Sequence, residues 1–589
     1  MNEDLKDHAR DFFANNYTDL FAMFIDRSLE FILPGGYVAM ITMQSWMFLS
    51  SYEELRKLII QQKTVLSMCH FGARAFDSIG GEIVSTTAFV LSNEKSPSLL
   101  GVYLRLIDGT NETEKNKNLL ENIPSTANPT PPLCYKVSLK EFKKIPGYPI
   151  AYWSTKKFRE SFEKYKPLHT HADCIQGIIT GNTKRFLRFW HEVSYKNIAV
   201  DSDSMDSIDL HKSYWIPYTK GGGFRKWFGN IDYVINWKNN GTDLVRARTQ
   251  NAQYYLKPCL TWTLISSASF CARMLPQGFL WDVAGSVAFP LESGDIYYLL
   301  GILSSKFSNH VIKTINPTIN TNIENVQVIP VADKHKQPKK TAQLVQNVHR
   351  AVEISKDDWN DGESSLYFST TPLLRRKSVK SVISATYSIL EKNWRDVVSE
   401  IQSIENENNE TVFNAYELQD EPSLNTTLEE ITLFCNPHYR YGANRSQEEL
   451  KGLLLADTMK EFISYGVGCM FGRYSLDKPG LVLANQGEEI DDFRRQLEDS
   501  GVAWDEVQFT PDEDNVIPIL DGEWFADDIA ERFKQFLKVT FGTEHYEENL
   551  AFLEEAIGRD IRSYFVKDFY NNHVKMYKKR PIYWLFSSP

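Results

Sequence analysis

Two stretches near the middle of the 589-residue chain combine side chains with the types and spacing to do chemistry. The run ITGNTKRFLRFW (179–190) sets Lys184, Arg185 and Arg188 among aromatic residues, just after Gly181 and Asn182. The run YTKGGGFRKWFGN (218–230) sets Lys220 before three glycines, and Arg225, Lys226 and Trp227 after them. Lys and Arg can contact phosphates or guanine edges, and a glycine run lets a backbone approach a phosphate closely. Any single Lys or Arg is more often part of a solvated charged face. As a set, these residues predict contact with DNA, without saying which base pairs are read. The glycine run is not a nucleotide-binding P-loop, because no Gly-Lys-Ser/Thr follows it.

Other chemistries find little support. The 12 histidines form no HxH or HExxH pattern and the 7 cysteines form no CxxC pair, so neither a metal site nor a disulfide framework is expected. Scattered single cysteines suit a reducing cytoplasm. Aspartates in PDEDNVIPILDGEW (511–524) lack the companion residues of a metal-dependent nuclease and read as an acidic surface turn. In the tail, Lys575, Lys578, Lys579 and Arg580 mixed with Tyr577 and Trp584 could grip DNA or could end a structural helix.

The net charge of −11 is unevenly spread. Residues 151–330 carry 20 Lys+Arg against 14 Asp+Glu, a balance of +6, whereas residues 401–560 carry 12 against 35, a balance of −23. A polyanion responds to the local field, so the middle of the chain is the part suited to DNA. No apolar run approaches the roughly 20 residues of a membrane span, and the charged N-terminus has no signal-peptide core.

Several elements must position these residues. The spacing predicts a helix over 19–32, with Leu20, Phe24 and Phe31 on one stripe and Phe21, Ile25 and Ile32 broadening it. A turn at 34–36 leads into a strand over 37–42. A helix over 51–62 follows, with Ser51 and Glu54 at capping-box spacing. Strands are expected over 65–72 and 83–92. This order suggests α/β architecture: one half of a doubly wound sheet with an antiparallel hairpin at its end. The predicted organisation is a sheet domain at 1–110, a Pro-rich linker or excursion at 111–150, and a mixed, strand-rich domain at 151–331. A helical connector at 332–405 and an acidic, mainly helical region at 406–589 complete it, with 406–430 as a loop and some strands beyond. The chain as a whole is expected to be an α/β and α+β multidomain protein.

The run from YTDLFAMFIDRSLEF (17–31) through HFGARAFDSIGGEIVSTTAFVL (70–91) resembles DNA adenine methyltransferases that act on the amino group. The resemblance continues through CIQGIITGNTKRFLRFW (174–190), PYTKGGGFRKWFGN (217–230), GCMFGRYSLD (468–477) and VKDFYNNHVKMYKKRPIYWLFSSP (566–589). It is similar to the PglX-like adenine-specific DNA methyltransferases of BREX phage-defence systems. That resemblance implies a methyltransferase half-sheet at 1–110, a target-recognition domain at 151–331, S-adenosylmethionine as cofactor, and double-stranded DNA and other BREX proteins as partners. A phage DNA-mimic inhibitor is physically reasonable in the same basic groove. An enzyme that methylates a base inside a duplex must extrude it, and the extruded base needs an aromatic face. The family places an aromatic in the loop before its final hairpin for this, and Phe76 matches that position. Its plain alternative is a plug in the hairpin core. Phe24 matches a residue packing on the adenine ring of the cofactor, and its plain alternative is a core residue.

The family's glycine-rich cofactor loop and its Asn-Pro-Pro-Tyr tetrapeptide have no counterpart in the 589 residues. The expectation is therefore that no catalytic residue lies in this chain and that the catalytic motifs lie upstream of Met1. Two competing readings stay open. One is a non-catalytic DNA-recognition or protein-interaction module, and the other is a piece of a fused restriction–methylation enzyme.

Overall fold

In the computed structural model, residues 2–14, 16–78, 84–244, 251–375, 382–419, 424–442, 444–522, 524–525 and 527–587 are described. The chain divides into two compact units, one of residues 1–172, 306–337 and 412–422, the other of 173–305, 338–411 and 423–589.

The first unit is built on α1 (Leu20–Phe31), β1 (Tyr37–Met43), α2 (Glu53–Gln62), β2 (Thr64–Gly72), β3 (Thr86–Ser92), β4 (Gly101–Arg105), α3 (Glu112–Asn122) and β5 (Cys134–Val137). The strands form one sheet in the order β1-β3-β2-β4-β5, with β2 and β4 parallel and the other neighbours antiparallel. The expected helix–strand–helix–strand–strand series is present. Of the strand expected over 83–92, Ile83 lies outside the described residues, as do residues 79–82 of the preceding glycine-containing motif.

Three local expectations are corrected. The segment expected to be a linker holds α3 and β5, and β5 pairs with β4 to extend the sheet. The capping box at Ser51 is absent, because a 3₁₀ turn occupies Ser50–Tyr52 and Tyr52 precedes α2 without a side-chain cap. The helical stripe of α1 is also shifted: Ile25, with Phe21 and Ile32 beside it, packs inward as expected, but the centre of the expected stripe does not. Ala22, Ile25 and Leu29 face the core, whereas Leu20, Phe24 and Phe31 are exposed.

Register explains how the sheet covers one side. Val38, Met40 and Thr42 of β1 pair with Leu91, Phe89 and Thr87 of β3, which in turn meet Val65, Met68 and His70 of β2. Strand side chains alternate between faces, so these residues share one, and α1 and α2 pack on it through Ile25, Leu29, Leu55 and Ile59. Buried donors tie the ends together. The Arg56 guanidinium donates to the carbonyls of Trp46, Leu49 and Gly147, and Lys115 Nζ donates to those of Phe71 and Leu106.

The second unit carries β6 (Ala172–Ile175), β7 (Leu187–Phe189), β8 (Trp215–Thr219), β9 (Tyr233–Asn236), β10 (Cys259–Trp262), β11 (Ala272–Leu275), β12 (Leu280–Trp281) and β13 (Val287–Pro290). They make two four-stranded sheets, β12-β8-β9-β7 and β11-β10-β13-β6, as the strand-rich reading of this region anticipates. Around them lie α4 (Ile296–Leu303), α5 (Pro338–Asn360), α6 (Ile383–Ala415), α7 (Gln447–Met470), α8 (Ile529–Phe541) and α9 (Tyr546–Ile557). The expected acidic loop at 406–430 is helical through Ala415, because its polar residues are buried and bonded. Asn409 donates to the Leu424 carbonyl, and the Asn347 amide donates to Glu407. The strands expected beyond 431 are absent among the described residues. Helices fill that region, and Phe462, Phe533, Phe536 and Leu537 form its core.

The segment FRKWF (224–228) fastens the sheets to α5 and α6. Arg225, 1% exposed, bonds Asp358 at 2.9 Å and lies between the rings of Trp359 and Phe434. Asp358 also accepts from the backbone N–H groups of Phe434 and Cys435. Lys226 Nζ and Trp227 Nε1 both donate to the carboxylate of Glu405. Trp227 adopts a φ of 67°, a conformation uncommon for a bulky side chain, and its indole bond to Glu405 helps to hold it there.

Two predictions follow from these buried groups. Replacing Asp358 with Ala leaves the Arg225 charge buried and unpaired, which should cost about 3–5 kcal/mol in chemical denaturation, with a smaller loss for Asp358→Asn. His70 bonds the Tyr152 hydroxyl and Gln44, and burial, aided by Arg105 and Lys115, pushes it down to about 3. The unfolded chain therefore takes up a proton below about pH 6.5 that the folded unit refuses. The stability His70 contributes is present above pH 6.5 and should fall by about 1.4 kcal/mol per pH unit between about pH 6 and 4. Thermal melts across that range should show a shallower slope in His70→Gln.

Candidate functional site

In the first unit the sheet's second face is open on the β1 side. Ala39, Ile41, Ser67, Cys69, Ala88 and Val90 line a shallow groove of about 310 Å³ along β1, β3 and β2. Four of these side chains are small, so the strands' backbone can be approached closely. Tyr37, Ala39 and Ile41 are exposed on β1, and no strand among the described residues pairs with its outer edge. Unpaired edges and contiguous apolar surface are features that proteins ordinarily cover. Phe24, 58% exposed, belongs to the uncovered face of α1, together with Leu20 and Phe31. Phe76 lies in the loop leaving β2 and is 38% exposed, so part of its ring is open to solvent. Both rings are free to stack on a flat ligand.

In the second unit the sequence-predicted cations part into two groups. Arg225, Lys226 and Trp227 are corrected: their polar ends are bonded inside the protein and present nothing to a DNA surface. The glycine run, expected to approach a phosphate, also serves the fold. A Cβ at Gly221 would lie 2.6 Å from the Ala284 carbonyl oxygen, at a φ of +78° that favours glycine. By contrast, Lys184 and Arg185 are exposed on the turn Thr183–Phe186, and Arg188 and Lys220 are half-exposed. Arg188 donates to the carbonyls of Lys184 and Leu187, which fixes its guanidinium against the turn without neutralising it.

Lys184 and Arg188 line a large cleft of about 1130 Å³. Its floor is aromatic: Phe189 stacks on Tyr233 at 4.6 Å and lies parallel to His191 at 5.5 Å. Burial, with Arg473 and Lys578 nearby, pushes His191 down to about 3, so it is neutral at ordinary pH. The opposite wall is the C-terminal tail. Tyr577 is buried and bonds Glu363, Lys578 bonds Asp232 at 2.7 Å, and Arg580 pairs with Glu192 at 3.2 Å. The tail is thus a docked part of this unit, and Lys579 and Trp584 face the cleft. Sequence reasoning gave no role to Arg473, which also lines it. The only signal was its place in the quoted run GCMFGRYSLD. Among the described residues, no helix is long and apolar enough to cross a membrane.

The model of the Eco57I restriction-modification methylase family matches residues 1–76. The adenine-specific methyltransferase BrxX of Escherichia coli O9:H4 (strain HS) is 39% identical over 609 residues, covering 100% of this chain and 47% of that protein. The adenine-specific methyltransferase PglX of Lacticaseibacillus casei (strain Zhang) is 34% identical, covering 98% and 47%. A solved structure of the Type IIL restriction-modification enzyme MmeI in complex with DNA aligns over 74% of this chain and 55% of that one, at 12% identity and a TM-score of 0.41, too loosely to bear on function. The chain spans about half the length of the curated relatives it matches. It is an end-to-end homologue of the adenine-specific methyltransferases BrxX and PglX over that half.

Proposed function

We propose that this chain is the sheet-completing and DNA-recognising portion of an S-adenosylmethionine-dependent methyltransferase acting on N6 of adenine in duplex DNA, of the BREX phage-defence type. One observation carries the reading: the likeness to adenine-specific methyltransferases runs without a break from the half-sheet through the recognition sheets to the docked tail. The open face of β1–β3–β2 supports it physically. A methyltransferase segment bearing the cofactor loop and the amino-binding tetrapeptide would cover Ala39, Ile41 and Val90 and pair with β1.

In this reading each exposed residue has a task. Phe76 stacks on the extruded adenine. Lys184, Arg185, Arg188 and Lys220 hold the duplex through phosphates and base edges. Bound S-adenosylmethionine supplies the methyl group. The half-exposed ring of Phe24 fits a residue that lies against the cofactor's adenine, and it is the one side chain of this chain assigned to the cofactor. The enzyme works in the cytoplasm beside other BREX proteins, and a phage DNA mimic would compete for the same cations.

The test is reconstitution. The chain is co-purified with the other half of BrxX and N6-methyladenine is measured in duplex DNA. The expected result is association and methylation, with Phe76→Ala lowering kcat by roughly 10- to 100-fold, the worth of one lost base stack. A complex that forms but methylates equally well with Phe76→Ala removes Phe76 from the site. No association and no methylation removes the reading.

A further inference from the structure

The cleft of the second unit is bordered by a buried cation beyond those that the sequence singled out. Arg473 is 9% exposed, yet its Nη2 has no hydrogen-bond partner among the described residues. Its guanidinium lies 5.4 Å over the Trp190 ring and borders the cleft. Nη2 itself is covered and Nε donates to the Tyr474 hydroxyl, so what the side chain offers the cleft is the field of a cation that no salt bridge neutralises, and such a field favours an anion. Of the neighbouring carboxylates, Glu192 pairs with Arg580 and Asp232 with Lys578, while Glu363 accepts from Tyr577 through Oε1, leaves Oε2 unbonded and feels the Arg473 charge without bonding it. Lys184, Arg188, Arg473 and Lys579 have no carboxylate within salt-bridge distance among the described residues. Two successive non-glycine residues, Lys578 (φ 52°) and Lys579 (φ 64°), take left-handed backbone conformations where the tail turns beside the cleft. Such strain persists when the surroundings enforce it, and it gathers at functional sites.

We infer that this cleft is a phosphate-binding groove which the C-terminal tail completes, with Arg473 as the buried anchor and Lys184, Arg188 and Lys579 as the flanking contacts. Its cations are spread over the turn before β7, β7 itself and the tail, which suits the successive phosphates of a polymer better than one free nucleotide or phosphate. The inference rests on the proposed DNA reading and adds the tail and Arg473 to it. Backbone contacts position a duplex but carry no sequence information, so this groove sets affinity and register rather than the recognised sequence.

The test uses the full chain and fluorescence anisotropy with labelled duplexes of several sequences, titrated over a range of salt. Lys579→Ala and Lys184→Ala should weaken binding to every sequence alike, each lowering the slope of log affinity against log salt by about one. Arg473→Gln should act in the same direction, and circular dichroism verifies its fold. Lys451→Ala, an exposed residue of α7 away from the cleft, should leave binding unchanged. Wild-type binding that Lys579→Ala and Arg473→Gln leave intact overturns this inference and spares the methyltransferase reading; if Lys184→Ala leaves it intact as well, Lys184 loses its place in that reading too. Inorganic phosphate or a free nucleotide binding as tightly as the duplex, with the same losses in the variants, overturns the polymer assignment. A wild-type chain without affinity for any duplex overturns the groove and the DNA-recognition role together.

Discussion

A cation taken out of water must find a partner. In the second unit that requirement is met by Asp358 for Arg225 and by Glu405 for Lys226, and the fold of its two sheets depends on it. The attraction is strong at such burial, but so is the penalty of desolvation. The bonds therefore fix a unique arrangement more than they add net stability. Because Arg225 and Lys226 are consumed in this way, the basic character of the middle of the chain is expressed elsewhere, on Lys184, Arg185, Arg188 and Lys220 and on the tail. One adjoining stretch thus supplies the internal fastener, and another the charge that faces outward.

The first unit presents the complementary situation. Its sheet satisfies one face through α1 and α2 and leaves the other open where β1, β3 and β2 run side by side. An apolar groove, an exposed edge strand and the bare rings of Phe24 and Phe31 are costs that a domain closed upon itself would avoid. They fit the proposed reading, in which the sheet is shared with a further segment.

The sequence carried the element order of the half-sheet because alternation and helical spacing are local properties. It carried the strand-rich middle for the same reason. It centred the buried stripe of α1 wrongly: Phe21, Ile25 and Ile32 pack inward as expected, but Leu20, Phe24 and Phe31 form as good a stripe as Ala22, Ile25 and Leu29, and only the sheet's position chooses between them. It read 406–415 as loop because a run of Glu and Asn has no apolar face. Yet Glu405, Asn408 and Asn409 are buried, and Glu405 and Asn409 bond partners far away in sequence. The same blindness to distant partners made Arg225, Lys226 and Trp227 look like surface contacts. Their acceptors, Asp358 and Glu405, lie more than a hundred residues downstream. Arg473 was invisible for the converse reason: a lone arginine in the turn after a long helix gains meaning only when the tail lies beside it to form a cleft.

The division between consumed and available cations is the centre of this account, and amine-reactive labelling read by mass spectrometry tests it most directly. The full chain is labelled with and without duplex DNA. Lys184, Lys220 and Lys579 should react freely and become shielded by DNA, while Lys226 stays inert in both states. Labelling of Lys226 that DNA suppresses, or indifference of Lys184 and Lys220 to DNA, would contradict it.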